Sequence, residues 1–146
     1  MTQIRPATPA DRDALLAIWL RSVRATHAFL TEADITALIP AVRDGALVML
    51  ETWVLADEDG QSLGFMGLDG AKLEALFIDP GHAGQGGGTA MVNHARVLKG
   101  PLTVDVNEQN PNALGFYLAK GFVVTGRSET DGDGRPFPLI HLAMNA

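Results

Sequence analysis

The sequence predicts a domain of the α/β (α+β) class, and three observations carry that prediction. An apolar strand, Leu73 to Ile78, runs through a glycine-rich loop into a helical pattern holding Met91, Val92, Ala95 and Leu98. Two strand-like segments, Thr52 to Ala56 and Ser62 to Leu68, flank Asp59-Gly60, a dipeptide that supplies the positive φ of a tight hairpin. Helical and strand patterns also intermix along the chain, in the order β-α-α-β-β-β-α-β-α-β-β. The 146 residues, 47% hydrophobic and 19% charged, suit one domain spanning 1–146 with a real core, and argue against disorder.

The elements follow in order. Residues 2 to 6 read as a short strand. Thr8 suits an N-cap, with Pro9 at the first helical position and Asp11 two further on, so a helix begins there. Leu15, Leu16, Ile18, Trp19 and Val23 give it one apolar face, and Trp19 and Trp53 read as core. Thr31 caps a second helix carrying Ile35, Leu38, Ile39 and Val42 and ending near Gly45. The hairpin, the Leu73 strand, the loop and the third helix come next. Leu102 to Val106 is a strand, Pro111 to Lys120 a helix closed by Gly121, and Phe122 to Thr125 and Leu139 to Met144 are the last strands. A hairpin turn over Asp131-x-Asp133-Gly134 joins these two; the later acidic ligands of a calcium loop are missing.

Gly84, Gly86, Gly87 and Gly88 fall within five residues, between a strand and a helix. Glycine lets main chain approach a ligand closely, and a helix N-terminus offers unpaired N–H groups and partial positive charge. The unit therefore reads as a phosphate or pyrophosphate site. An enzyme using the loop for ATP or NAD is a poorer fit: no lysine precedes Thr89 as a P-loop needs, and Thr89 takes the place of the third glycine of the dinucleotide fingerprint.

A net charge of −6 disfavours a nucleic-acid partner and steers cationic acceptors such as amines. His82, Arg96, Lys99 and Lys120 are the cations near the loop that could offset repulsion of an anionic ligand. The absence of cysteine excludes an acyl-cysteine intermediate. No apolar stretch reaches membrane-span length and no signal-peptide pattern opens the chain, so the reading is a cytoplasmic protein without a membrane partner. The histidines show no metal-ligand spacing, and no metal is expected.

The glycine loop resembles motif A of the GNAT N-acetyltransferases, Arg/Gln-x-x-Gly-x-Gly/Ala. Counted from Pro80, Ala83 takes the Arg/Gln place, followed by Gly86 and Gly88; Gln85-x-x-Gly88-x-Ala90 also matches, and the Ala83 register is preferred because it keeps the loop short. Asn110-x-x-Ala113-x-x-Phe116-Tyr117-x-x-x-Gly121-Phe122 is similar to motif B of the same family. The Phe-Ile-Asp-Pro strand end, the Asn-Glu-Gln-Asn run and the Gly-Arg-Ser-Glu ending resemble a bacterial subgroup, the YjaB-like acetyltransferases.

This resemblance spans the chain and implies a mixed, mostly antiparallel sheet of about seven strands with four helices, splayed between its fourth and fifth strands. It implies an acetyl-CoA-dependent N-acetyltransferase acting directly on an amine, small or peptide-borne, in a ternary complex. A non-catalytic acyl-CoA-binding module on the same fold is the alternative. Ala83, Gly84, Gln85, Gly86, Gly87, Gly88 and Thr89 would wrap the pyrophosphate, largely through main-chain amides, since Ala83 lacks the family's side chain. Asn110 would bond the pantetheine arm, and the N–H of Phe77 or Ile78 would polarise the acetyl carbonyl. Tyr117 would serve the leaving thiolate. With reference pKa values of about 10 for tyrosine and 8.5 for a thiol, a stabilising hydrogen bond is the expected role. An acceptor ammonium must lose a proton, for which Glu74 is the first candidate, facing with Leu76 and Ile78 if the strand alternates, and His27 the second. His27 and Phe29 would border the acceptor, as would Arg127, Glu129 and Arg135. Homodimers are frequent in the family.

Overall fold

The computed structural model describes residues 2–132 and 134–145; Asp133, expected in the last hairpin turn, lies outside them. Its strands are β1 Gln3–Pro6, β2 Glu51–Ala56, β3 Ser62–Asp69, β4 Lys72–Ile78, β5 Thr103–Asn107, β6 Phe122–Ser128 and β7 Leu139–Met144. They form one sheet in the order β1-β2-β3-β4-β5-β7-β6. Every neighbouring pair is antiparallel except β4 and β5.

The helices are α1 Arg12–Thr26, α2 Glu32–Pro40, α3 Leu47–Met49, α4 Gly87–Lys99 and α5 Pro111–Ala119. Thr31 caps α2 reciprocally: its Oγ1 accepts from Asp34 N–H at 3.1 Å and Asp34 Oδ2 accepts from Thr31 N–H at 3.0 Å. The second helix does not end near Gly45. The chain stays helical through the wider π turns of Ala41–Ala46 and into α3. Gly45 does not take the left-handed conformation that stops a helix, and the turn beyond it buries Leu47 in the core. The strand expected to stop at Thr125 continues to Ser128, because β7 supplies a partner past an irregularity between Val124 and Gly126.

The sheet separates two cores. Met91, Val92 and Ala95 of α4 and Tyr117 of α5 pack with Leu73, Val104 and Val106 on one face. Leu15, Ile18, Trp19 and Val23 of α1 and Ile35 of α2 pack with Val54 and Phe65 on the other.

Strand β4 changes faces between these cores. Leu68 on β3 lies opposite Leu73, and the next residue, Gly67, lies opposite Ala75, so Glu74 is an extra residue without a cross-strand partner. Such a bulge bends a strand and re-aims a side chain. Pairing with β5 stops at the same place: only Lys72 with Thr103 and Leu73 with Val104 are in register. Beyond Leu73 the two strands diverge, and the resulting gap is the expected splay.

Candidate active site

Two cavities open from the gap and meet at Leu76, Ala113 and Tyr117. One, of about 390 Å³, is bounded by the glycine loop and α5. The other, of about 160 Å³, reaches from Tyr117 toward His27, Glu74 and Asp105.

The larger cavity is lined mostly by main chain and apolar side chains. Gly84 (φ +77°) and Gly86 (φ +83°) hold left-handed conformations, and Gly86 caps α4. No Cβ would fit at the two glycines that follow without displacement. At Gly87 it would lie 2.8 Å from Leu55 Cδ2, and at Gly88 3.2 Å from Phe116. The first helical N–H to find an acceptor is that of Ala90, bonded to Gly86 O at 3.0 Å. The N–H groups of Gly87, Gly88 and Thr89 have none among the described residues and point from the N-terminus of a 13-residue helix. This cradle fits a pyrophosphate.

Strand direction selects further donors. Asp79 N–H bonds Leu63 O at 2.8 Å across β3. Alternation then turns Phe77 N–H toward β3 as well and leaves those of Leu76 and Ile78 aimed into the gap. Of the two donors expected, Ile78 keeps its freedom and Phe77 does not; Leu76 is the one the sequence reading missed. The Ile78 carbonyl accepts from Ser22 Oγ at 2.9 Å, and Arg21 pairs with Asp79 at 2.6 Å, so α1 fixes the end of β4.

Tyr117 is only 7% exposed and has no hydrogen-bond partner among the described residues. Its ring packs edge-on against Phe116 and Phe122, 5.1 and 5.3 Å between centroids. Burial pushes the hydroxyl pKa upward, so it stays protonated.

His82 lines the larger cavity, whereas His27, Glu74 and Asp105 line the smaller one. Lys72 Nζ lies 3.1 Å from Glu74 Oε1 and 3.0 Å from Asp105 Oδ2, and His141 Nδ1 lies 2.6 Å from Asp105 Oδ1. Burial alone would raise the Asp105 carboxyl, but its bonds to His141 and Lys72 outweigh that and hold it below its ordinary range. Burial lowers the His27 pKa, favouring neutral imidazole. Its Nδ1 lies 2.8 Å from Thr26 Oγ1, which gives its single proton to Ser22 O at 2.7 Å. Nδ1 must therefore be the protonated nitrogen, and Nε2 carries a free lone pair.

Known proteins resemble this chain along nearly its whole length. A model of the acetyltransferase (GNAT) domain matches residues 50–124. The chain is 47% identical over 140 residues to the peptidyl-lysine N-acetyltransferase YjaB of Escherichia coli K12, covering 96% of this chain and 95% of that protein. It is 46% identical over 142 residues to the Salmonella typhimurium protein of the same name, covering 97% of each. The chain belongs to the GNAT acetyltransferase family. The solution structure of apo-form YjaB from Escherichia coli superposes with a TM-score of 0.91 over 98% of this chain and 97% of that one, at 46% identity. This GNAT protein is an N-acetyltransferase that transfers acetyl groups to an amine.

In this GNAT site the residues singled out from the sequence gather unevenly. Ile78, Ala83, Gly84, Gly86, Gly87, Gly88, Thr89 and Tyr117 line the larger cavity. Gln85 turns instead into a separate cavity of about 70 Å³ beside Thr2 and Leu55. His27, Glu74, Phe77 and Asn110 line the smaller one, where Asn110 also caps α5 by accepting from Ala113 N–H at 3.2 Å. Glu74 reaches it through the bulge and not by simple alternation with Leu76 and Ile78.

Phe29 stacks between His27 and Phe137, 5.3 and 5.8 Å between centroids; Phe137 comes from the β6–β7 connection and had no signal in the sequence. Lys99 pairs with Glu51 at 2.8 Å and Arg127 with Glu108, so neither is committed to a ligand here. Among the described residues no group of three or more His, Asp or Glu is placed to hold a metal ion.

Proposed function

We propose that this enzyme acetylates lysine side chains of peptides or proteins, taking the acetyl group from acetyl-CoA bound along the β4–β5 gap. The observation that carries the reading is the meeting of two cavities at Tyr117. One offers main-chain donors suited to a pyrophosphate and a pantetheine arm. The other offers Glu74 and a neutral His27 to a cationic acceptor. The high identity to relatives named peptidyl-lysine N-acetyltransferases supports lysine as that acceptor.

The residues divide the work. Ala83 to Thr89 hold the diphosphate through backbone N–H groups, and the N–H of Leu76 or Ile78 faces the acetyl carbonyl oxygen, where charge develops. The acceptor ammonium gives one proton to Glu74 or His27, its nitrogen forms the new C–N bond, and the C–S bond breaks. A second proton leaves the nitrogen as the amide forms, and the coenzyme thiolate takes up one. The Tyr117 hydroxyl donates to that sulfur. A cytoplasmic location goes with this reading; among the described residues no helix is long and apolar enough to cross a membrane.

The test is incubation with acetyl-CoA and a lysine-containing peptide whose N-terminus is blocked, followed by mass spectrometry. A gain of one acetyl group on lysine is expected. Acetyl-CoA binding without transfer to any amine would favour the non-catalytic alternative.

A further inference from the structure

Asn107 ends β5 inside the smaller cavity, and its Oδ1 is buried without a hydrogen-bond partner. An orphaned buried acceptor is costly, and native proteins keep few of them. The other acceptors of the cavity are mostly engaged. Asp105 gives Oδ2 to Lys72 and Oδ1 to His141. Asn110 Oδ1 is spent on capping α5. Glu74 gives only Oε1 to Lys72, so three acceptors stay open: Glu74 Oε2, His27 Nε2 and Asn107 Oδ1.

A primary amine that has lost one proton attacks with its lone pair and still carries two N–H bonds. Both must find acceptors once the cavity is closed to water, or the amine loses its hydration without compensation. Two of the three open acceptors can also take the proton. Asn107 cannot, so its oxygen can only hold and aim.

We propose that Asn107 Oδ1 accepts a hydrogen bond from the acceptor's attacking nitrogen and orients its lone pair toward the thioester. The Lys72 ammonium already pairs with Glu74 and Asp105, both lining residues of the cavity, so this carboxylate pair suits a lysine-type cation. The inference rests on the lysine-acetyltransferase reading above.

The experiment is Asn107→Leu beside Asn107→Asp, with three readouts: thermal midpoint, acetyl-CoA Kd by calorimetry, and steady-state kinetics on a lysine peptide. For Asn107→Leu the midpoint is expected to hold or rise, because an unpaired acceptor has been removed. The Kd stays within about twofold, and kcat/KM falls about tenfold or more, since a misplacement of about 1 Å at the reacting centre can cost about a hundredfold. Asn107→Asp, which keeps an oxygen acceptor, retains more activity than Asn107→Leu.

Unchanged kcat/KM in Asn107→Leu would overturn the proposal. So would a weakened acetyl-CoA Kd with an unchanged KM for peptide, since Asn107 would then serve the cosubstrate. A lowered midpoint with activity lost in proportion would assign it a structural role and overturn it too. Should Asn107→Leu fail to fold, Asn107→Ser is read by the same numbers. Failure of the unmodified enzyme to acetylate any lysine peptide would instead remove the parent reading.

Discussion

The two cavities that meet at Tyr117 are built from opposite materials. The larger is backbone: left-handed glycines, unpaired helix N–H groups and a strand edge released by a bulge. The smaller is side chain: a histidine, two carboxylates and two asparagines line it, and the Lys72 ammonium bridges the two carboxylates. Backbone donors stand in place whatever the neighbouring side chains are, so the first cavity can hold the same ligand across a family. Side chains can be exchanged one at a time, so in the proposed function the second is where acceptor choice is set.

The sharpest break of this contrast is at the junction. Tyr117→Phe is expected to leave acetyl-CoA affinity within about twofold and to lower kcat about a hundredfold, the scale of one transition-state donor. Calorimetry and steady-state rates together check it; unchanged turnover would sink the role.

Next in size are one change on each side. Gly87→Ala forces a Cβ against Leu55 and Ile78 and shifts the start of α4. It should weaken acetyl-CoA binding about tenfold and lower the thermal midpoint. Glu74→Gln should do the converse, costing about tenfold in kcat/KM for the amine with the acetyl-CoA Kd unchanged. The pH profile sharpens the second half. With Glu74 gone, proton acceptance falls to His27, whose pKa burial has lowered. The remaining acid limb should therefore lie below the ordinary imidazole value of about 6.5, and vanish in Glu74→Gln/His27→Gln.

The smallest effect lies away from both cavities. Asp11 accepts two bonds from Arg5, each 2.9 Å, and one from Thr8 N–H. These partners, Arg5 foremost, hold its carboxyl well below the usual range. A depressed carboxylate contributes stability above its unfolded pKa of about 4 and loses it as pH falls toward the folded value. With Arg5 partly exposed, Asp11→Asn should cost about 1 kcal/mol at pH 7 by urea denaturation. The difference should shrink as pH is lowered below about 4.

The same contrast governs what the sequence disclosed. Glycines, caps and apolar periodicity report backbone, so the loop, the hairpin, α4 and α5 could be read directly. The bulge at Glu74 could not, because it depends on how Gly67 and Leu68 register against β4 and not on any residue in β4 itself. Simple alternation therefore misjudged the face of Glu74. Gly45 misled for the related reason that a glycine stops a helix only when it turns left-handed, and the burial of Leu47 keeps the chain helical past it. Phe137 and Asp105 join the site only through tertiary contact among β4, β5 and the β6–β7 connection, which no local pattern encodes, and the Asn-Glu-Gln-Asn run marked Asn107 without revealing where its side chain lies.

The most direct test of this division of labour is calorimetric titration of acetyl-CoA into Gly87→Ala and Glu74→Gln side by side with the unmodified enzyme. A Kd weakened about tenfold is expected in the first, and one unchanged within about twofold in the second. Equal affinity in Gly87→Ala, or a comparable loss in Glu74→Gln, would contradict it.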